Sequence, residues 1–170
     1  MALKNTDKSI LLLFTDASVN PISKIGYGAY LVLDKHKLSK HQTQLEDVKT
    51  KRFENTSSSR LELETLLWAL SEIDLKNSLI TIYTDCQNII GLKDRKEKLL
   101  KQGCLSKKNK VIKNYELYKK FYKTMNQTQL NFIKVKGHKK KSSKDEIDTL
   151  FSLVDKASRA ALRKNNVDLR

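Results

Sequence analysis

Four acidic residues of this sequence occur where the surrounding pattern favours an uncharged side chain. Asp16 follows an apolar, strand-like run, and Asp85 closes a second one. Glu62 lies on the apolar side of a helix-like stretch, and Asp155 falls within the apolar stripe of a C-terminal helix. A half-buried carboxylate costs free energy unless it is paired, hydrogen-bonded or bound to a cation. Because no single Lys or Arg is an obvious partner for all four acids, the pattern favours one converging site that binds a divalent metal ion.

The two aspartates at strand ends indicate which metal this would be. Functional groups of α/β sheets usually lie at the carboxyl ends of strands, so Asp16 and Asp85 would be neighbours if their strands are adjacent and parallel. Two uncompensated carboxylates repel each other, and a hard cation with oxygen ligands, Mg²⁺ or Mn²⁺, removes that repulsion. The sequence has no Cys/His cluster with zinc spacing. Two ions about 4 Å apart would activate a water molecule and stabilise a leaving oxygen in phosphodiester cleavage.

The elements that must position these acids follow from hydrophobic periodicity, which predicts five strands and five helices. The predicted strands are Ile10–Asp16, Gly28–Asp34, a third and more polar strand within His36–Thr43, Leu79–Thr84 and Leu130–Val135. The predicted helices are Ser59–Leu75, a short one from Asp85 to Ile90, Lys93–Gln102, one from Tyr115 to Met125, and a last one that begins at Lys144 or Asp145. This order predicts a mixed sheet flanked by helices, in which a hairpin meander is followed by parallel strands.

Glu62 has two interpretations. The segment Ser59–Glu62 has the S-x-x-E spacing of a capping box, in which Glu62 would only cap the helix N-terminus. Glu62 also begins a stripe with Leu66 that faces the core, which favours a functional role. Glu64 instead aligns with Trp68 and is therefore the weaker functional candidate.

The positive charge is concentrated in one segment of the chain. The net charge is +15, and residues 91–144 hold 18 Lys or Arg against three acids, whereas the rest of the chain holds 16 residues of each sign. Because neutralising phosphates releases counterions, such a segment favours a nucleic-acid partner. A solvated, solubilising face is the alternative interpretation of a Lys-rich segment.

Length and composition limit the class of protein. At 170 residues the chain is about one domain long, with 39% hydrophobic and 31% charged residues. Its two cysteines form no disulfide framework, which suits a reducing compartment. No apolar run approaches the roughly 18 residues of a membrane span, and the N-terminus has no secretory h-region. We therefore expect a soluble, cytoplasmic protein that does not associate with membranes and acts as a monomer.

Five short motifs, in this order, resemble the motifs of type 1 ribonuclease H. They are Thr15–Ser18, Ser59–Leu63, Tyr83–Gln87, Val135–His138 and Val154–Ala157. The resemblance extends from about Ile10 to Leu162. Each string alone is common, whereas five in register are specific.

The resemblance also implies a domain organisation. The segment from Leu92 to Tyr115 is similar to the basic protrusion, or handle, of the long bacterial form. We therefore expect a single ribonuclease H-like domain over residues 10–164 with a handle at about 91–114. A short N-terminal tail (1–9) and a C-terminal tail (165–170) would flank it.

A member of this family is expected to have a ribonuclease H-like fold, a five-stranded mixed sheet with helices on both faces. The implied reaction is endonucleolytic cleavage of the RNA strand of RNA–DNA hybrids, leaving 3′-hydroxyl and 5′-phosphate ends. Two Mg²⁺ ions per site would be the cofactor, with Mn²⁺ as a substitute. By motif position, Asp16, Glu62, Asp85 and Asp155 would be the catalytic, metal-binding acids, and His138 would assist proton transfer or product departure.

The expected substrate contacts fall into two groups. Asn20 and Gln87 match positions that contact the hybrid in its minor groove, where base edges and 2′-hydroxyls are accessible. Ser58 and Ser59 stand where two asparagines are typical, and their hydroxyls could donate to a sugar or a phosphate. The basic segment adds the lysines that would bind phosphates: Lys107, Lys108 and Lys110.

Two other functions stay open at this point. A nuclease of the same broad fold that acts on DNA would also use clustered acids. A hybrid-binding module without activity would need the basic residues but not the carboxylates, which would hinder binding. His138 could also be a solvent-exposed histidine of a Lys-rich loop, without a role in chemistry.

Overall fold

Five strands form one mixed sheet, with the order β3-β2-β1-β4-β5. The computed structural model describes residues 8–40, 43–103, 105–106, 108–136 and 145–168. The strands are β1 (Ser9–Asn20), β2 (Ile25–Asp34), β3 (Lys49–Phe53), β4 (Ser78–Thr84) and β5 (Leu130–Lys134). β1 to β3 pair as an antiparallel meander, and β4 pairs parallel with both β1 and β5. The predicted five-stranded mixed sheet is thus confirmed.

Helices cover both faces of this sheet. They are α1 (Ser58–Ser71), α2 (Gln87–Ile90), α3 (Leu92–Lys101), α4 (Tyr115–Met125) and α5 (Glu146–Asp168). Because successive strand residues point to opposite faces, Leu13 packs with α1, α3 and α4, whereas its neighbours Leu12 and Phe14 pack against α5. In the part of the chain that the structure describes, no helix has the length and apolarity to cross a bilayer.

The prediction of a third strand within His36–Thr43 is wrong. The Asp34 Oδ1 atom accepts a hydrogen bond from the backbone N–H of His36, 2.9 Å away, and a 3-10 helix over Lys35–Lys40 follows. An Asx-type turn of this kind ends a strand, because the side chain competes for the backbone donor. The third strand is instead β3, which pairs antiparallel with β2 and places Phe53 against the ring of Trp68.

The predicted capping box at Ser59–Glu62 is also wrong. The N-cap residue of α1 is Ser57, whose side chain makes no capping hydrogen bond, and the helix begins at Ser58. Glu62 is therefore the fifth residue of α1 rather than the third, and its carboxylate does not reach back to the N-cap. The interpretation of Glu62 as a helix cap is thereby removed.

Two glycines of β2 let α1 lie close to the sheet. A Cβ atom on Gly28 would be 2.1 Å from Thr65 Oγ1, and one on Gly26 would be 2.4 Å from Leu61 Cδ2. Heavy atoms cannot approach to such distances, so a side chain at either position would displace the side chain that it meets or move α1 outward. Thr65 follows Glu62 by three residues and lies near it on the helix surface. The glycines therefore allow the part of α1 that carries Glu62 to pack closely against β2.

Strand β3 forms one edge of the sheet and is strongly basic. Lys49, Thr50, Lys51 and Arg52 are all exposed. The Lys51 ammonium lies 5.5 Å from the ring centroids of both Phe53 and Trp68, and the Lys49 ammonium lies 5.6 Å from that of Tyr30. These cations sit over aromatic faces, an arrangement that is electrostatically favourable.

Candidate active site

Three acids meet where β1 and β4 part. The parallel pairing of these strands ends at Phe14 and Tyr83, and an acid lies two residues further along each strand direction. Asp85 comes directly after β4, whereas Asp16 lies inside β1, which continues to Asn20, so the prediction that the first strand ends at Asp16 is wrong. Glu62 reaches the same place from α1. One carboxylate oxygen from each of the three acids lies within 4.8 Å of the other two. The predicted convergence is therefore present for these three residues.

Burial makes this group energetically unusual. Asp16 is 6% exposed and Glu62 is 8% exposed, whereas Asp85 is more accessible. The Glu62 Oε2 atom is buried and has no hydrogen-bond partner among the residues that the structure describes. A buried carboxylate oxygen without a donor costs free energy. The arrangement is not one that packing alone would favour.

The pKa values of the buried acids reflect this environment. Burial, followed by the charges of Asp85 and Asp155, raises the pKa of Asp16 from 3.8 to about 6, although the hydrogen bond from Ser158 acts in the opposite direction. Burial, with added repulsion from Asp16 and Asp85, raises the pKa of Glu62 well above its usual value. Without a bound cation, the cluster therefore resists full ionisation at neutral pH.

The donor set fits a hard divalent cation. The group consists of carboxylates alone, the ligands that Mg²⁺ and Mn²⁺ prefer. A cation beside Glu62 Oε2 would satisfy the oxygen that has no donor, and its charge would remove the repulsion among Asp16, Glu62 and Asp85. These three residues are thus the ones that the geometry offers as metal ligands.

Asp155 approaches the same site from α5 but lies outside the group of three. Its Oδ1 atom forms an ion pair with Arg159 Nε at 2.7 Å. One turn further along the helix, Ser158 donates from its hydroxyl to Asp16 Oδ2 at 2.7 Å. Asp155 is near enough for its charge to raise the pKa of Asp16. Its role as a metal ligand stays a prediction.

Glu64 is engaged in a separate polar network around Arg60. The Arg60 Nε atom donates to Glu64 Oε1 at 2.8 Å, and Thr56 Oγ1 donates to Glu64 Oε2 at 2.9 Å. The Arg60 Nη1 atom donates to Glu116 Oε1 at 2.6 Å and to Asn114 Oδ1 at 3.2 Å. The network joins the start of α1 to the start of α4, and it accounts for Glu64 without a role in chemistry.

An open cleft of about 560 Å³ lies beside this network. Its walls come from the β2–β3–α1 region and from the segment that enters α4. The basic residues that line it are Lys24, Arg60 and Lys113, and Tyr115 contributes an aromatic ring. The acid Glu116 also lines this cleft, which lies at the start of α1.

The four residues outside the basic segment that were predicted to contact the substrate have different surroundings. Asn20 ends β1, and its Oδ1 atom accepts hydrogen bonds from the backbone of Ile22 and Ser23, so part of its side chain shapes the turn. Gln87 begins α2 and is exposed, and its Oε1 atom accepts a hydrogen bond from Lys134 Nζ at 2.6 Å. Two exposed hydroxyls lie in the first turn of α1: those of Ser58 and Ser59. Their contacts with a substrate stay predictions.

The remaining site predictions concern the basic segment. Lys108 and Lys110 are exposed in the connection between α3 and α4. Lys107 and His138 lie outside the described residues, so their predicted roles stay predictions.

Sequence analysis missed two features of the site. Ser158 lies on the same face of the last helix as Asp155, and this position indicates that it faces the acids. The sequence does not indicate, however, which residue its hydroxyl would contact. Arg60 lies inside the motif around Glu62, yet its partner Glu116 is distant in the sequence. Both contacts depend on how helices pack, and a local pattern does not encode that.

Comparison with known proteins agrees with the site. Residues 8–156 match the RNase H family model. The Ribonuclease H of Lachnoclostridium phytofermentans is 26% identical over 145 residues, which cover 81% of this chain and 87% of that protein. The solution structure of the PFV RNase H domain has a TM-score of 0.68 at 13% identity and covers 90% of this chain and 93% of its own. The foamy viral protease-reverse transcriptase in complex with dsDNA has a TM-score of 0.62 at 10% identity, with coverages of 92% and 98%.

The two solved structures are distant in sequence, so what they share with this chain is the fold. The family match is the stronger finding, because it spans most of the chain and includes all four candidate acids. It confirms the resemblance that the five motifs indicated. The chain therefore belongs to the RNase H family of hydrolytic nucleases.

Proposed function

We propose that this enzyme cleaves the RNA strand of RNA–DNA hybrids endonucleolytically, leaving 3′-hydroxyl and 5′-phosphate ends. Two divalent metal ions, Mg²⁺ by preference and Mn²⁺ as a substitute, would serve the reaction. The observation that carries the proposal is the buried group of Asp16, Glu62 and Asp85, in which Glu62 Oε2 has no donor within the described part of the chain. Family membership supports the substrate class.

Each residue of the site has a distinct role in the proposed reaction. Asp16, Glu62 and Asp85 would hold the metal, and the partly exposed Asp85 would face the incoming phosphodiester. When bound, the ions supply a water nucleophile and stabilise the charge on the leaving oxygen. Asp155 would complete the acidic set from α5, and His138 would assist proton transfer at the leaving group.

The surface around the acids would bind the hybrid. Gln87, Ser58 and Ser59 project polar groups suited to sugar hydroxyls and base edges, and Asn20 keeps its amide nitrogen for such a contact while its carbonyl holds the turn. The lysines between α3 and α4 would bind phosphates by charge. Reading 2′-hydroxyls on one strand would distinguish the hybrid from duplex DNA.

The deciding experiment is a cleavage assay on four substrates, with and without Mg²⁺. We expect cutting of the RNA in an RNA–DNA hybrid, little cutting of duplex RNA, duplex DNA or single strands, and none with chelator. Asp85→Asn should reduce the rate about 1,000-fold, as expected for a loss of roughly 4 kcal/mol of metal-dependent stabilisation of the transition state. Asp94→Asn, at an exposed acid of α3, is the matched control and should cleave normally.

Two outcomes of this assay would favour the alternatives. Preferential cutting of duplex DNA would indicate a nuclease of the same fold with a DNA substrate. Tight binding of the hybrid without cutting by either metal would indicate a binding module. Unchanged cleavage by Asp85→Asn would contradict the role assigned to that carboxylate.

The lysines of the α3–α4 connection give a separate prediction. Lys108→Ala combined with Lys110→Ala should weaken hybrid binding and flatten its dependence on salt. The slope of log K against log salt should fall by about 0.9 for each phosphate that the variant no longer neutralises. Turnover at saturating hybrid should change little, because these residues do not touch the acids.

The control for the lysine variants is Lys76→Ala, at an exposed lysine just before β4 and therefore at the opposite end of that strand from Asp85. It should leave the slope unchanged. Binding would be measured by fluorescence anisotropy with a labelled hybrid and chelator. A slope that is the same in the double variant and the parent would show that these lysines do not contact phosphates.

A further inference from the structure

One buried hydroxyl connects α5 to the acid cluster. Ser158 has no exposed surface, and its Oγ atom has three oxygen neighbours. Asp16 Oδ2 lies 2.7 Å away, Ser18 Oγ lies 3.0 Å away, and the backbone oxygen of Asp155 lies 3.0 Å away. The hydroxyl therefore contacts the carboxylate of one candidate acid, Asp16 on β1, and the backbone of another, Asp155 on α5.

The number of hydrogens fixes the direction of these contacts. A serine hydroxyl has one hydrogen to donate and can accept two. The shortest contact is to a carboxylate, and charge-assisted hydrogen bonds are the stronger ones, so Ser158 donates to Asp16. Ser18 must then be the donor in its contact with Ser158. The result is a chain of two hydrogen bonds, from Ser18 through Ser158 to Asp16.

The single hydrogen of Ser158 has a second possible acceptor, a backbone carbonyl of its own helix. Serine in a helix commonly donates to a backbone carbonyl of the preceding turn. The Asp155 carbonyl offers that alternative at 3.0 Å and competes for the single hydrogen of Ser158. Donation from Ser18 polarises the Ser158 hydroxyl and favours the bond to the carboxylate over the bond to the carbonyl.

We propose that Ser158 is a positioning residue that holds the Asp16 carboxylate in the orientation in which it binds the metal ion. Ser18 supports it by donating to its oxygen. The inference rests on the proposed function, since it concerns the same cation site. It assigns to α5 a second contribution to the site besides Asp155, through a side chain that does not itself contact the ion.

In this proposal the Asp16 carboxylate has two roles: it accepts a hydrogen bond from Ser158, and it binds the metal ion. One lone pair of Asp16 Oδ2 is taken by Ser158, and this fixes the rotation of the carboxylate about its terminal bond. The backbone N–H of Ala17 also donates to this carboxylate, and the lone pairs that remain are available to a cation. Partners of this kind are commonly worth about 10–100-fold in metal affinity or activity when they are removed.

The test measures binding of Mg²⁺ alone by isothermal titration calorimetry of the full-length protein. Ser158→Ala should weaken Mg²⁺ binding by about 10-fold or more. Ser158→Cys should weaken it similarly, because a thiol is a weak donor of comparable size. Ser18→Ala should produce a smaller loss in the same direction. Thr149→Ala removes a hydroxyl that donates to the backbone oxygen of Asp145 on the same helix, and it should bind Mg²⁺ as the parent does.

A second readout separates positioning from simple packing. In hybrid cleavage, the Mg²⁺ concentration at half-maximal rate should rise about 10-fold in Ser158→Ala, while the rate at saturating Mg²⁺ changes much less. If Ser158→Cys restores the parental Mg²⁺ affinity, the side chain acts by filling space and the proposal is overturned. Parental affinity in Ser158→Ala would overturn it directly.

Failure of the proposed function would look different. If the parent protein bound no Mg²⁺ and cut no hybrid, the whole assignment of the site would be wrong. If the parent bound and cut while the Ser158 variants matched it in both measurements, only the role of Ser158 would be wrong. Circular dichroism melting curves would confirm that each variant is folded at the assay temperature.

Discussion

Asp16→Asn should make the metal-free protein more stable while it abolishes cleavage. In the folded state, burial and the neighbouring acids raise the pKa of Asp16 from 3.8 to about 6. At neutral pH the ionised carboxylate therefore destabilises the native state by up to about 3 kcal/mol. An amide has no charge to desolvate, so the free energy of unfolding should rise by an amount of that order. Cleavage should fall about 1,000-fold because a metal ligand is removed.

The direction of the pH dependence follows from the same pKa. Below 3.8 the Asp16 carboxyl is protonated in both the folded and the unfolded state, and it contributes nothing. Between 3.8 and about 6 the folded state holds the proton more tightly, so stability falls as pH rises, and above about 6 the loss is complete. Glu62 acts in the same direction, since its pKa is also raised. The advantage of Asp16→Asn should therefore grow between pH 4 and pH 7.

Urea unfolding in the presence of chelator, at pH 4 and at pH 7, would measure this difference. Added Mg²⁺ should stabilise the parent and narrow the gap, because a ligand that binds only the native state stabilises it. Asp94→Asn is the control, and its stability relative to the parent should not show this pH dependence. A metal-free Asp16→Asn protein that is less stable than the parent at pH 7 would contradict the destabilisation that we assign to the ionised Asp16 carboxylate.

Gly28→Ala should destabilise the protein and reduce cleavage, although it adds only a methyl group. The new Cβ atom would lie 2.1 Å from Thr65 Oγ1 and 2.9 Å from two carbon atoms of the same residue. Either α1 moves away from β2 or the Thr65 side chain is displaced, and overpacking of this kind costs about 1–3 kcal/mol. Outward movement of α1 would also withdraw Glu62 from Asp16 and Asp85.

Two further variants test this explanation. Gly91→Ala places its Cβ no closer than 3.6 Å to any neighbour at a φ of −80°, so it should leave stability unchanged or slightly higher. Combining Gly28→Ala with Thr65→Ala removes the closest atoms and should recover part of both stability and cleavage, which a double-mutant cycle would quantify. Additive losses in that cycle would show that the contact between Gly28 and Thr65 is not the cause.

Much of the site could be predicted from sequence because its acids interrupt apolar patterns. Asp16 and Asp85 each come after an apolar run of the sequence, and the parallel pairing of those runs in β1 and β4 brings the two acids together. Glu62 follows from a helical stripe, although the local S-x-x-E spacing also indicated a cap that does not form. A capping motif describes only four residues, and the N-cap is Ser57, two residues before the one that the motif indicated.

The third strand could not be predicted in the same way. Lys49–Phe53 has four exposed residues and only one that packs inward, so it shows little alternation. Its position depends on hydrogen bonds to β2 and on the contact between Phe53 and Trp68. The hydroxyl of Ser158 and the guanidinium of Arg60 are similar cases, because each meets partners that are distant in the chain.

The basic edge strand β3 has a consequence for how copies of this protein meet in concentrated solution. The outer edge of a sheet carries unpaired backbone groups, which act as a template for strand addition and aggregation. A second copy pairing there would bring its own Lys49, Lys51 and Arg52 against the first set. Like charges directly opposite each other are destabilising in a sheet. The cations on this strand thus protect the exposed edge from self-association, and raising the salt concentration would weaken that protection by screening them.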